Sequence, residues 1–396
     1  MAKIGVLITD SMFRSGGVFQ YSMSLIEALS RTSKHDIYIF YESPDFKEYA
    51  KGYGNLKLIE VKRSTSFLGK SIKGVSSIMG LGLYFREIYS PIIKENLDLM
   101  ISPDSFFGIH TLGIPYVVVI HDMMHKYYKE FPDYPYLEGL KRDLNFRRSS
   151  SDAVFTVVES KQSMNDVERF YGADNKTLRV VEFCPPWFSY KYMNMDDEKV
   201  KKVRQKYTLP NRYLFYPAQF WYHKNHERLL KALKIASDKL GERVNLVLSG
   251  SPRRDPGSTY DKVKKFVGDS NMDDQIKYVG YLTEEDMVAI YKGADALVYP
   301  TLIGPTNVPI LESMQLETPV ACSNLFLMPE QAGGAALLFD PFDEKDIAEK
   351  IATIWKDEDL RRSMVESGKK RAEELSIDVF SKKWTDVIDE ALERTH

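Results

Sequence analysis

A chain of 396 residues is too long for one small domain and suits two or three units of about 100–200 residues. With 43% hydrophobic and 28% charged residues it is a globular composition, not a disordered or fibrous one. Lys and Arg (54) nearly balance Asp and Glu (56), so no non-specific field for nucleic acid is available and no nucleic-acid partner is expected. Aromatic residues reach 12%, a share that invites uses besides core packing. The opening Met1–Ile8 has too short an apolar run and no cleavage pattern for a signal peptide, and reads as a buried strand. No stretch approaches the roughly 18–20 apolar residues of a spanning helix. Cys184 and Cys322 stand far apart with no metal-ligand spacing, so the expected compartment is the reducing cytoplasm and no metal site is expected.

In chain order, short apolar runs alternate with helical patterns, twice over. The first half reads as strand Ile4–Ile8, the pair Gly16-Gly17, an amphipathic run Tyr21–Leu29, then strands at His35–Phe40, Leu56–Val61, Leu97–Ile101, Tyr116–Ile120 and Ala153–Val158. Several runs are continuous rather than alternating, as buried parallel strands require. After Pro185-Pro186-Trp187 a polar, charged stretch extends to Pro210. The second half restarts with strand Tyr213–Tyr216, helix His226–Ser237, strands Asn245–Ser249 and Ile276–Val279, helix Thr283–Lys292 and strand Ala296–Tyr299. Helix Pro309–Gln315, strands Pro319–Cys322 and Ala336–Phe339, and helices Asp343–Lys356, Glu358–Leu375 and Ile377–Glu393 complete it. The expected class is α/β: an N-terminal domain over 1–186, a linker over 187–210, a second domain over 211–375, and a closing helix over 376–396 that packs back on the first. Sheets of this kind bind ligands beyond the carboxyl ends of their strands.

Five stretches lie at such strand ends. Gly16 and Gly17 let backbone approach a ligand at a helix N-terminus, or simply serve a turn. His121 ends an apolar strand; it either bonds a sugar hydroxyl or acceptor, or is a structural histidine capped by Asp122. Gln219, His223, Lys224, Asn225 and His226 crowd one strand-to-helix turn, where a point cation and orphan N–H groups would hold a diphosphate. The run Val298–Met314 carries the strongest signal. Thr306, Asn307 and Val308 offer backbone N–H groups to phosphate oxygens, and Glu312 could accept two ribose hydroxyls. The plainer alternatives are a Glu favoured by the helix dipole and a Thr306 or Asn307 cap. Finally, Gly280-Tyr281 could support a base, or form only a turn before Thr283.

These five features, in this order, resemble a retaining GT-B glycosyltransferase of family GT4 (glycosyl transferases group 1), of the bacterial polysaccharide-assembly type. The match is densest from Tyr213 to Pro341, through Ala294–Pro300, Pro309–Met314, Thr318–Asn324 and Gln331–Pro341. The resemblance implies two Rossmann-like doubly wound domains facing across a cleft, an N-terminal acceptor side and a C-terminal donor-nucleotide side. Glu312 matches the family's ribose-binding glutamate and Lys224 its phosphate-binding lysine. Two positions depart from the pattern: Gly304 stands where a glutamate is usual, and Gln219 where an arginine often stands.

The resemblance further implies sugar transfer from a nucleoside diphosphate sugar, with a lean to GDP-mannose or a related GDP-sugar, onto a hydroxyl of a glycan or lipid-linked acceptor. Negative charge would grow on the departing diphosphate, met by Lys224, the amides of Thr306–Val308 and Gly16-Gly17, without a metal or other cofactor. His121 would contact the sugar or position the acceptor. The aromatic residues of Tyr127–Tyr136, rigid rings with polar edges, read as an acceptor wall or else as core packing of the first domain. The basic and apolar residues of 62–86 could lie on the inner membrane surface, or form a helix packed on the sheet. Two other readings are a non-catalytic nucleotide-sugar-binding protein, favoured by Gly304 and Gln219, and a sugar-nucleotide epimerase, for which no set of acid/base carboxylates stands out.

Overall fold

The computed structural model describes residues 1–13, 16–32, 34–62, 83–106, 108–128, 131, 136–252, 258–304 and 306–395. Most of the stretch read as membrane-facing (63–82), and Tyr134 of the expected acceptor wall, lie outside the described residues. The chain forms two compact units. One comprises Met1–Tyr127, Tyr136–Phe183 and Ile377–His396; the other comprises Tyr128–Pro135 and Cys184–Ser376.

The first unit is built on β1 (Lys3–Ile8), β2 (Asp36–Tyr41), β3 (Lys57–Glu60), β4 (Leu99–Ser102), β5 (Tyr116–Val119), β6 (Phe155–Val158) and β7 (Leu178–Val180). They pair in the order β3-β2-β1-β4-β5-β6-β7, all parallel. β4, β5 and β6 are buried along their whole length, which is why they read as unbroken apolar runs. The closing helix Ile377–Thr395 belongs to this unit. Ser381 Oγ donates to Ala28 O of helix Gly16–Thr32 at 2.8 Å, and Arg179 of β7 pairs with Glu390. Trp384 and Phe380 are buried at its inner face.

The second unit repeats the scheme with β8 (Leu214–Pro217), β9 (Leu246–Ser249), β10 (Ile276–Tyr278), β11 (Ala296–Tyr299), β12 (Val320–Ser323) and β13 (Ala336–Phe339). Their order is β10-β9-β8-β11-β12-β13, again all parallel. In both sheets the winding direction reverses once, between β1 and β4 and between β8 and β11. At such a switch point neighbouring loops diverge and leave room for a ligand.

The stretch 187–210, expected as a linker, carries helices Trp187–Tyr192 and Asp197–Tyr207 and groups with the second unit. The reason is a sparse apolar stripe: Val200, Val203 and Tyr207 recur at helical spacing and pack on that unit's core. β7 and helices Tyr136–Asp152, Lys161–Tyr171 and Thr259–Asp269 are further elements the sequence pattern did not announce. Among the described residues no helix is long and apolar enough to cross a membrane.

Candidate functional site

In the second unit, the loops after β8 and β11 are the two that border the switch point. The β8 loop ends in a turn, Tyr222–Lys224, and Asn225 at φ +60° starts helix His226–Leu240. Asn tolerates this left-handed conformation better than most residues. The buried Asn225 side chain donates to Pro300 O (3.0 Å) and Pro341 O (2.8 Å) and accepts from Arg228 (3.1 Å). It therefore ties the β8 loop to the chain leaving β11 and β13. His223 O accepts from Leu302 N (2.8 Å) and Thr301 Oγ1 (3.2 Å), a second cross-brace. Tyr216 Oη donates to Lys224 O at 2.6 Å, fixing the Lys224 backbone. Its Nζ reaches Tyr299 Oη at 3.4 Å, so the cation stands over the mouth of β11. His226 is buried and stacked on Phe220 at 4.5 Å. Burial, then the Lys224 and His223 charges, push its pKa down to about 3, which keeps it neutral.

After β11, helix Val308–Gln315 begins with Asn307 at φ +40°. The side chain of Asn307 does not cap the helix. It turns back and donates to Gly304 O at 2.8 Å. Ile310 N donates to Asn307 O at 3.0 Å and Pro309 has no N–H, so helix geometry leaves the Val308 N–H at the start of this helix suited to an anion. Glu312 is buried one turn in, and Tyr291 Oη donates to its Oε2 at 2.5 Å. Burial pushes the Glu312 pKa up to about 7, against the lowering effect of Tyr291. A carboxyl poised there accepts hydroxyl hydrogen bonds fully only once ionised.

The neighbouring strand end is equally constrained. A Cβ on Gly250 (φ +141°) would strike Ala218 O at 2.2 Å, so β8 and β9 approach as closely as glycine allows. Gly250 N donates to Gly280 O at 3.0 Å. Gly280 sits at φ +77°, a turn conformation, and Tyr281 beside it is 80% exposed, a free aromatic face at the edge of the same loop cluster. Gln219 is half-buried in the β8 loop, its carbonyl accepting from Trp221 N at 2.8 Å.

In the first unit, His121 follows β5 and is 6% exposed. Its Nδ1 lies 2.5 Å from Glu159 Oε1, after β6, and its Nε2 2.7 Å from Pro103 O, after β4. Burial disfavours the charged ring, but the Glu159 bond and charge outweigh it and raise the His121 pKa to about 9. At neutral pH it is an imidazolium donating through both nitrogens. The capping partner is thus Glu159 rather than Asp122, which pairs with Arg142 at 2.8 Å. Gly16 and Gly17 open helix Gly16–Thr32 and are exposed. A Cβ on Gly17 would meet nothing within 4 Å and its φ is not in the left-handed region, so a turn does not require this glycine.

Residues 197–371 match the model of the family described as "Glycosyl transferases group 1". The O-antigen chain mannosyltransferase B of Escherichia coli is 26% identical over 285 residues, 72% of this chain and 72% of that protein. The serotype-specific mannosyltransferase WbdA of the same species is 26% identical over 283 residues, 67% of this chain; that overlap is about a third of WbdA's own length (34%). A crystal structure of Anabaena Alr3699/HepE in complex with UDP and glucose superposes with TM-score 0.75 at 13% identity, covering 98% of this chain and 100% of that one. The chain is a GT-B glycosyltransferase related to the group 1 family.

Within this glycosyltransferase the second unit brings Gln219, Lys224, Gly280, Tyr281, Thr306, Asn307, Val308 and Glu312 to the carboxyl end of one sheet. His121, Gly16 and Gly17 lie at the corresponding end of the other. Sequence reasoning missed Tyr291 and Glu159, and gave Asn225 no role of its own. The aromatic run beyond His121 divides. Tyr127 donates to Asp166 at 2.5 Å within the first unit, whereas Tyr128 and Phe131 stack on each other at 4.4 Å and meet Phe326 and Tyr222 in the second. Tyr136 is largely exposed.

Proposed function

We propose that this glycosyltransferase moves a sugar from a GDP-sugar, GDP-mannose or a close relative, to a hydroxyl of a glycan or lipid-linked acceptor with retention of configuration. The observation that carries the donor side is the bracing of the β8 and β11 loops at the switch point, which holds Lys224 Nζ 3.4 Å from Tyr299 Oη at the base of the loop that bears Asn307 and Glu312. The resemblance to two mannosyltransferases supports the sugar.

In this reading the diphosphate lies against the start of helix Val308–Gln315 and Lys224, the ribose hydroxyls on ionised Glu312, and the base along Gly280-Tyr281. As the sugar–phosphate bond breaks, charge accumulates on the diphosphate oxygens. A fixed ammonium and preoriented N–H groups stabilise that charge more than the ground state, without reorganising. His121 enters as a fixed positive charge at its strand end, since both ring nitrogens are already engaged. A lipid-linked acceptor would bring peripheral contact with the membrane.

Thermal-shift screening with GDP, UDP, ADP and their sugars identifies the base. A ligand at 100 times its dissociation constant adds about 2.7 kcal/mol of stability. Donor turnover and nucleotide affinity of Lys224→Ala and Glu312→Ala then test the site. The assignment fails if both variants keep wild-type transfer and affinity.

A further inference from the structure

Two buried side-chain amides flank the β11 loop, and each has spent only its nitrogen. Asn307, 3% exposed, donates from Nδ2 to Gly304 O at 2.8 Å; Gln331, 6% exposed, donates from Nε2 to Thr306 O at 2.7 Å. Because each nitrogen faces a carbonyl, the orientation of both amides is settled: a flip would set oxygen against oxygen. Asn307 Oδ1 and Gln331 Oε1 are left buried without a donor among the described residues. Buried acceptors in that state are rare and costly in folded proteins, so a pair of them at a ligand-facing loop calls for donors from outside the chain.

Gly304 shows where the first of these oxygens stands. A Cβ built on Gly304 would lie 1.7 Å from Asn307 Oδ1. The amide oxygen therefore occupies the place where a side chain at 304 would begin, and residue 304 is glycine because residue 307 has taken its space. The carboxylate that the family pattern puts at 304 is sterically excluded while Asn307 holds this conformation. A neutral amide also avoids setting a second negative charge beside a diphosphate, which is repulsive at short range.

We propose that Asn307 Oδ1, together with Gln331 Oε1, accepts hydrogen bonds from hydroxyls of the sugar half of the donor, replacing a side chain at 304 with a neutral amide. This rests on the donor site proposed above and names its sugar-recognising residue. The unit selects its sugar through uncharged acceptors and leaves the charge complementarity to the diphosphate.

The test compares Asn307→Gly, Gly304→Ala and the double variant by calorimetric titration with GDP and GDP-mannose, and with UDP and UDP-glucose. Glycine at 307 keeps the left-handed backbone accessible. Affinity of Asn307→Gly for the diphosphate should stay within about twofold, while affinity for the sugar-bearing donor falls about tenfold, the effect of one lost hydrogen bond. Gly304→Ala should show the same selective loss, because its methyl displaces the amide. The double variant should be no worse than Asn307→Gly, since the clashing group is gone. Equal losses for diphosphate and sugar donor would mean that Asn307 only shapes the loop, and unchanged values would mean no contact; either overturns the proposal alone. If the wild-type protein binds none of the four ligands, the donor-site reading falls, and this proposal with it.

Discussion

Removing one hydroxyl, in Tyr291→Phe, should change how nucleotide binding by this glycosyltransferase responds to pH. Tyr291 is fully buried, and its ring packs edge-on against Phe215 at 4.9 Å, a contact phenylalanine preserves. What is lost is the 2.5 Å bond from Tyr291 Oη to Glu312 Oε2. That bond favours the ionised carboxylate, while burial holds the Glu312 pKa at about 7. A hydrogen bond to a charged group is worth about 1.5–3 kcal/mol, or roughly 1–2 pKa units. If ionised Glu312 receives the ribose hydroxyls, wild-type affinity rises with pH through about 7. The variant's midpoint moves up by roughly 1–2 units. At pH 7 the ionised fraction then drops from about one half to about 1–10%, so affinity should fall about 5- to 50-fold and recover by about pH 9. Calorimetric titration of the nucleoside diphosphate from pH 6 to 9, for both proteins, reads this directly. A uniform loss at every pH, or superimposable profiles, would refute the link between Glu312 ionisation and binding.

Three further outcomes follow from the same geometry. The Glu312 pKa is raised in the folded chain above its usual 4.5, so the ligand-free protein binds the extra proton; stability should decline as pH rises from about 4.5 to about 7, and Glu312→Gln should flatten that slope in urea unfolding. His121 is the opposite case: its pKa is raised to about 9, so the His121–Glu159 pair stabilises fully below about pH 6.5 and its contribution, about 3 kcal/mol, is lost as pH rises through 9. Glu159→Gln should remove that dependence and bring the His121 ring signal, followed by proton NMR, to a lower titration midpoint; an unchanged midpoint would detach the charge from Glu159. Asn225→Ala should cost about 2–4 kcal/mol in denaturant unfolding by orphaning two carbonyls and forcing alanine to φ +60°, and Asn225→Gly should cost less because only the bonds are lost.

What could be read from the sequence was whatever chemistry concentrates at strand ends. The Lys224 turn gathers Pro, Gln, His, Asn and a charge, and the 304–312 loop Gly, Pro, Asn and a charge, each within a dozen residues directly after an apolar run, and the parallel order of β8 and β11 then places them side by side. Parallel strands buried on both faces read as unbroken apolar runs, so most strands were legible. β7, with Arg179 in it, was not, because its edge position relaxes the pattern. Helix Asp197–Tyr207 looked like a linker because no residue on it is fully buried, and only a half-buried stripe holds it to the core. The groups that tune the site were hidden for a different reason. Tyr291 lies 21 residues before Glu312 in a helix where an aromatic residue fits the core pattern, and Glu159 lies 38 residues beyond His121. Nothing local marks either as a partner, since each pairing is made by neighbouring strands and helices coming together. The same holds for Gly304. In the sequence it is a gap in a family pattern; in the fold it is the space that the Asn307 amide occupies. An absent side chain can therefore be as informative as a present one, because the residue that fills its place, three positions on, sets which atom that space presents.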